Sequence, residues 1–314
     1  MADNQLVDDV GDDDIFVYTG GRVPRDVRRV RFSGSTSFVR AMEFLNCEQL
    51  IEVGGHDKIK KIKQEAFIHC RRLRWVSNMN GVIEIEVKAF FGCNALCHVE
   101  FEKLEIIGES SFGWCRSLVS VSMPSVRRVG ENAFQDCDRL TDVAFGEDLE
   151  GIGGNAFLNC TALRRIAIPL KDGLIVEDDA FDWCGNLSSV DVIGGIHKTI
   201  SSLHMESWRD EMYVEIDVIN QTLPDTPLDG KTAAIQQWIV TVIARMEHYK
   251  FEHQKFVLKE AMTLLELALW KAKLNENESN NIDVETVGRK EHRVTCGASI
   301  VIKNVLPFLA LKGS

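Results

Sequence analysis

The sequence predicts an α/β architecture: a solenoid of short stacked repeats followed by an all-α C-terminal module. Two observations predict it. One phrase recurs up to about residue 195, most plainly as Val126–Phe145, VRRVGENAFQDCDRLTDVAF. Beyond Gly194-Gly195 the phrase stops, and apolar residues space at three and four instead.

The repeat is in strict phase. Aligned on phenylalanine, it reads Phe44, Phe67, Phe90, Phe112, Phe134, Phe157 and Phe181, with successive differences of 23, 23, 22, 22, 23 and 24. A cysteine follows each at +3 (Cys47, Cys70, Cys93, Cys115, Cys137, Cys160, Cys184), a leucine at +6 and Val or Ile at +9. A fixed period of about 20–50 residues marks a fold of stacked units, none of which buries its apolar side alone. Ala, Phe, Cys and Leu at −1, 0, +3 and +6 share one face of a short helical turn. Ser110, Asn132, Asn155 and Asp179, just before the Ala-Phe position, are residue types that cap helices. The Leu-x-x-Val-x-apolar run that follows has the alternation of a strand.

The pattern I/V-x-x-I-G-x-x-A-F-x-x-C-x-x-L-x-x-V resembles the BspA-type leucine-rich repeat, over roughly residues 27 to 193. The resemblance implies a parallel sheet on a concave face, short helical turns on the convex side, and use in protein binding or adhesion. The C-terminal module is similar to a helical region that follows such repeats in large protist repeat-protein families.

In order along the chain, residues 1–14 carry six Asp and no Lys or Arg, and read as a disordered acidic tail. Residues 15–195 read as an N-terminal cap plus the solenoid. Ile15–Tyr18 is a strand, and Val27–Phe32 repeats the leucine-strand signature as a rung zero. Residues 196–274 form a helical module of one short and one long helix. Its first stripe is Ile200, Leu203, Trp208, Met212, Ile216 and Ile219, ending before Leu223-Pro224. No Gly or Pro lies between Lys231 and Leu274, which favours one long helix over a hairpin bent near Phe251–Gln254. Residues 275–285 form a polar loop, and residues 286–314 a terminal helix.

Composition narrows the function classes. The net charge of −11 argues against a nucleic-acid or anionic-membrane partner. The N-terminus has no signal-peptide pattern, and no apolar run reaches membrane-spanning length. The repeat cysteines therefore read as reduced, buried and small in a cytoplasmic protein, with the nucleus as an alternative. Adjacent rungs lie within disulfide reach, so compartment rather than geometry argues against bridges.

No constellation specifies a reaction, so the expectation is a non-enzymatic scaffold without cofactor or metal. Cys93, Cys97 and His98 have the look of metal ligands, but alternation sends Cys93 inward and His98 outward. Gly151-Ile152-Gly153-Gly154 has a glycine-rich look, yet Ile152 is an ordinary repeat position. The rung geometry does offer a surface. Residues two and four after each leucine point to the concave face, which selects Arg29, Arg31, Glu52, Trp75, His98, Glu100, Asp142 and Arg165 as candidate protein-binding residues. Trp and Arg anchor interfaces more often than other types, so Trp75 leads. The expected partner is another protein; the alternatives are self-assembly into a homo-oligomer through the C-terminal helices and cell-surface adhesion.

Overall fold

The computed structural model describes residues 15–279, with side chains described to residue 272. The acidic tail at 1–14, the end of the polar loop and the terminal helix at 286–314 lie outside the described residues.

Two short strands per rung build the solenoid. In chain order the strands begin β1 (Ile15–Tyr18), β2 (Arg29–Phe32), β3 (Phe38–Val39), β4 (Glu52–Gly54), β5 (Lys61–Ile62), β6 (Trp75–Ser77), β7 (Glu84–Ile85) and β8 (His98–Val99). They continue as β9 (Ile106–Ile107), β10 (Ser120–Met123), β11 (Arg128–Val129), β12 (Asp142–Phe145), β13 (Gly151–Ile152), β14 (Arg165–Pro169), β15 (Ile175–Val176) and β16 (Ser189–Ile193). Strands of two to five residues form two parallel sheets, β1-β2-β4-β6-β8 and β10-β12-β14-β16, in which all but β8 are longer than two residues. Seven two-residue strands, the odd-numbered ones from β3 to β15, form a third parallel sheet. Two residues are too few to show an alternation, so the third sheet is invisible in the pattern.

The segment carrying Ala-Phe-x-x-Cys-x-x-Leu takes a tighter form than an α-helical turn. Its N–H groups bond carbonyls three residues back, as in Cys137 to Phe134 (3.3 Å) and Leu140 to Cys137 (3.0 Å). The expected N-caps have a different role. Ser110, Asn132, Asn155 and Asp179 are left-handed, with φ between 54° and 57°. A second left-handed residue follows four positions later in each rung, as at Asn46, Asp136 and Asn159. Asn and Asp tolerate this conformation better than most residues. These N–H groups cross to the next rung: Asn132 reaches Gly154 O (3.0 Å), Phe134 reaches Ala156 O (2.7 Å) and Asp136 reaches Leu158 O (3.0 Å). The turns are thus a third hydrogen-bonded face, and inter-rung bonding offsets the cost of the left-handed backbone. At Gly92, φ 71°, an added Cβ would fall 2.4 Å from His69 Nδ1, so the glycine makes room for the preceding rung's imidazole.

The rung spacing dictates the core. Phe44, Phe67, Phe90, Phe112, Phe134, Phe157 and Phe181 are all fully buried. Neighbouring rings from Phe67 to Phe181 stack with centroids 5.1–5.4 Å apart and planes within 8°. The cysteines are more than small apolar fillers. Each thiol from Cys70 to Cys184 donates to the carbonyl of the previous rung's phenylalanine, as in Cys137 Sγ to Phe112 O (3.3 Å) and Cys160 Sγ to Phe134 O (3.1 Å). Burial pushes these thiols well above their ordinary range, and they are free.

The helices begin with α1 (Ile196–Ser201) and α2 (Glu206–Thr222). The single helix expected across this stretch is broken at residues 202–205. The Ser201 and Ser202 hydroxyls bond His197 O and Thr199 O, local bonds that compete with helix continuation. α3 runs from Lys231 to Ser279 without a break at Phe251–Gln254. It continues through Asn275–Ser279, where the polar composition alone reads as loop.

The chain divides into two compact units. The first comprises the solenoid, α1, residues 209–222 of α2 and α3 as far as Ala244. Its helical part closes the last rung by standing in for the rung that would follow. Phe181 N–H, which elsewhere meets a backbone carbonyl, donates to Thr232 Oγ1 (2.8 Å), and Trp183 N–H donates to Leu228 O (2.7 Å). Asp182, itself buried, accepts from Thr232 N–H (3.1 Å) and Thr232 Oγ1 (2.6 Å). At β16 the Val190 N–H meets Asn220 Oδ1 (2.7 Å), and at β15 Gln236 Nε2 donates to Val176 O (2.8 Å). Lys231 Nζ, also buried, donates to Leu187 O (3.3 Å) and to Leu223 O. Every open edge of the last rung thus gains a partner, as a buried polar edge requires. The second unit contains Leu203–Trp208 and α3 from Arg245 on. There Trp208 stacks on Tyr249 (5.3 Å) and His204 on Phe256 (4.2 Å).

Candidate functional site

Alternation along the longer strands puts Val and Phe inside and leaves the intervening residues facing out. In β10 the pattern is exposed-buried-exposed-buried over Ser120–Met123. Parallel in-register pairing then turns each outward position into a column across rungs.

Arg29, Glu52, Trp75 and His98 are consecutive partners across β2, β4, β6 and β8. Arg31 pairs with Gly54, one step along the strands. Glu100 lies just past the end of β8, its Oε1 2.9 Å from His98 Nε2. Arg29 grips Glu52 with two nitrogens, at 3.0 and 2.8 Å. Trp75 keeps 44% of its surface exposed, and the Arg74 guanidinium lies over its ring at 5.8 Å. Asp142 and Arg165 occupy the other sheet, paired in register across β12 and β14. The Arg165 guanidinium bridges Asp142 (3.4 Å) and Asp191 (3.3 Å). The eight candidates therefore form two groups, because β8 and β10 are not hydrogen-bonded neighbours. Small residues, Ser120, Ser122, Ala144 and Ala167, fill much of the second sheet's outward columns.

Two participants were not among the candidates. Arg74 precedes Trp75 by one residue, so strict alternation assigns it to the opposite side. Only the turn into β6 brings it over the indole. On the turn side, Trp114 is exposed with Arg116 at 4.5 Å from its ring, and Trp183 is exposed as well. Both tryptophans are left-handed turn residues, which no strand pattern would single out.

Cys93 is buried and bonds the Phe67 carbonyl (3.1 Å), whereas His98 is outside with Glu100. Among the described residues no three His, Cys, Asp or Glu side chains converge as metal ligands would. No described helix is long and apolar enough to cross a membrane.

The chain is similar to a leucine-rich repeat protein of T. pallidum at 24% identity, over 63% of this chain and 92% of that one, with a TM-score of 0.48. It is similar to a leucine-rich repeat protein of Bacteroides ovatus at 20% identity, over 54% and 61%, TM-score 0.38. A leucine rich cell surface protein of Faecalibacterium prausnitzii gives 16% identity, 54% and 74%, TM-score 0.26. No curated protein matches the sequence significantly. A family model, the BspA type leucine rich repeat region, matches in six copies over residues 37–163 and 105–209. That match spans more than half of the chain, its repeat is the one whose phenylalanine, cysteine and leucine build the core, and the chain belongs to the BspA-type leucine-rich repeat family.

Proposed function

We propose that this protein is an intracellular, non-enzymatic scaffold that binds another protein through the outward face of its longer strands. The observation that carries the reading is Trp75, an indole 44% exposed at the centre of a column whose neighbours are already fixed by partners. Tryptophan and arginine are both enriched among the residues that anchor interfaces. The Arg29–Glu52 pair and the Arg165 bridges hold their side chains in one arrangement, so little side-chain entropy is lost on binding. Free, buried thiols in every rung suit a reducing compartment. Fractionation of cells carrying a tagged full chain checks that location, and recovery at the cell surface would favour the adhesion reading.

The test of the binding face is affinity capture with the full chain and with Trp75→Ala. Bound partners should weaken by at least about 1 kcal/mol while the melting temperature holds. Partners retained in full by Trp75→Ala would remove the column from the binding surface. A second reading, self-assembly through α3, has its own support: Met262, Leu264, Leu265, Leu267, Leu269 and Trp270 are all exposed. Sedimentation across a concentration series distinguishes it, since Leu267→Glu should abolish any dimer while leaving capture through Trp75 intact.

A further inference from the structure

We propose that the chain's own acidic N-terminal segment, residues 3–14, docks across the basic first rungs of the strand face and competes there with outside partners. The docking stands on charge and connectivity alone; only its regulatory consequence rests on the binding role proposed above.

Charge is distributed very unevenly along the chain. The whole carries −11, yet residues 15–75 hold thirteen Lys and Arg against six Asp and Glu, a net +7. Part of that excess is unneutralised beside the strands of the first rungs. Arg28, Arg31 and Arg74, in or next to β2 and β6, are exposed. Among the described residues none of the three has an ion pair, although Arg74 lies over Trp75. Further along, Arg116 pairs with Asp138, Arg127 with Glu150, and Arg165 with Asp142 and Asp191, while Arg139 and Arg164 are exposed with no ion pair among the described residues. The net charge of residues 15–75 is thus not balanced within the first rungs.

Residues 1–14 carry the opposite charge, with six Asp and no basic residue. The segment also joins the fold at the right place. It leads into Ile15, which pairs in register with Arg29, so the segment meets the fold beside Arg28. Reach is ample: twelve residues extend up to about 40 Å, whereas β1 to β6 spans three strand spacings, about 14 Å. Tethering keeps the segment at an effective concentration in the millimolar range. Weak, salt-sensitive attraction is then enough to occupy the face, and an outside partner has to displace the segment.

The experiment uses the full chain, wild type and with Asp8, Asp9, Asp12, Asp13 and Asp14 changed to Asn. The probe is a fluorescently labelled peptide of residues 1–14, followed by anisotropy. At about 20 mM salt the peptide should bind the Asn variant about tenfold or more tightly than wild type, because the tethered copy no longer competes. The difference should vanish at about 500 mM salt, where screening is nearly complete. Adding Arg28→Gln, Arg31→Gln and Arg74→Gln to the Asn variant should remove peptide binding without changing the melt. Absent binding, equal affinity for wild type and the Asn variant, or binding indifferent to the arginines would each overturn the proposal. The peptide is the chain's own, so a positive result stands even if Trp75→Ala leaves partner capture unchanged.

Discussion

Phe134→Ala tests the rung geometry most directly. Phe134 is fully buried, and its ring lies parallel to Phe112 and Phe157 at 5.2 and 5.1 Å. Truncation removes buried apolar surface and leaves a void that rigid rungs above and below cannot close. Such substitutions cost about 3–5 kcal/mol. The two aromatic contacts contribute about 0.5–1.5 kcal/mol each beyond area, so Phe134→Leu, which retains most of the volume, should cost about 1–3 kcal/mol. In a folded unit of this size 1 kcal/mol shifts the melting temperature by about 2–4 °C. Phe134→Ala should therefore lower it by roughly 6–20 °C. Ile106→Ala is the control: it sits on an outward position of the third sheet, 37% exposed, and should change stability by about 0.5 kcal/mol or less. Circular dichroism melts and urea titrations of the variants give the comparison. A Phe134→Ala melt no lower than that of Ile106→Ala would mean that the phenylalanine column is not the core.

Three more outcomes follow from particular atoms. Ser111 occupies the slot held elsewhere by Ala66, Ala89, Ala133, Ala156 and Ala180, and its buried hydroxyl has no partner among the described residues, so Ser111→Ala should stabilise by about 1–2 kcal/mol in urea titrations. Thr232→Val keeps the shape but orphans the Phe181 N–H and a lone pair of Asp182; it should cost about 1–3 kcal/mol and speed hydrogen exchange at Phe181 more than at Phe134. Burial raises the folded pKa of the core thiols above the unfolded value of about 8.5, so their contribution is complete below that pH and is lost as pH rises above it. Under reducing conditions stability should fall steeply between about pH 8.5 and 10, by up to about 1.4 kcal/mol per pH unit per thiol, and Cys137→Ala should flatten the slope.

The sequence by itself determined the rung. Phe, Cys and Leu at fixed offsets recur because every rung meets identical neighbours, and one packing solution must serve in each. The same regularity made the outward columns legible, since a parallel in-register stack carries Arg29, Glu52, Trp75 and His98 to adjacent positions once the period is known. Tertiary structure decided what lacks a period. The left-handed turns depend on carbonyls of the next rung, so Asn132 and Asn155 look like helix caps until that rung is in place. The break between β8 and β10 divides the candidate face, although the repeat runs through it without interruption. The cap is the clearest case: Thr232, Leu228, Asn220 and Gln236 are scattered along the chain, and nothing in their spacing relates them. They converge because the last rung ends in unpaired backbone groups, and a buried donor or acceptor without a partner costs more than the ordering needed to supply one.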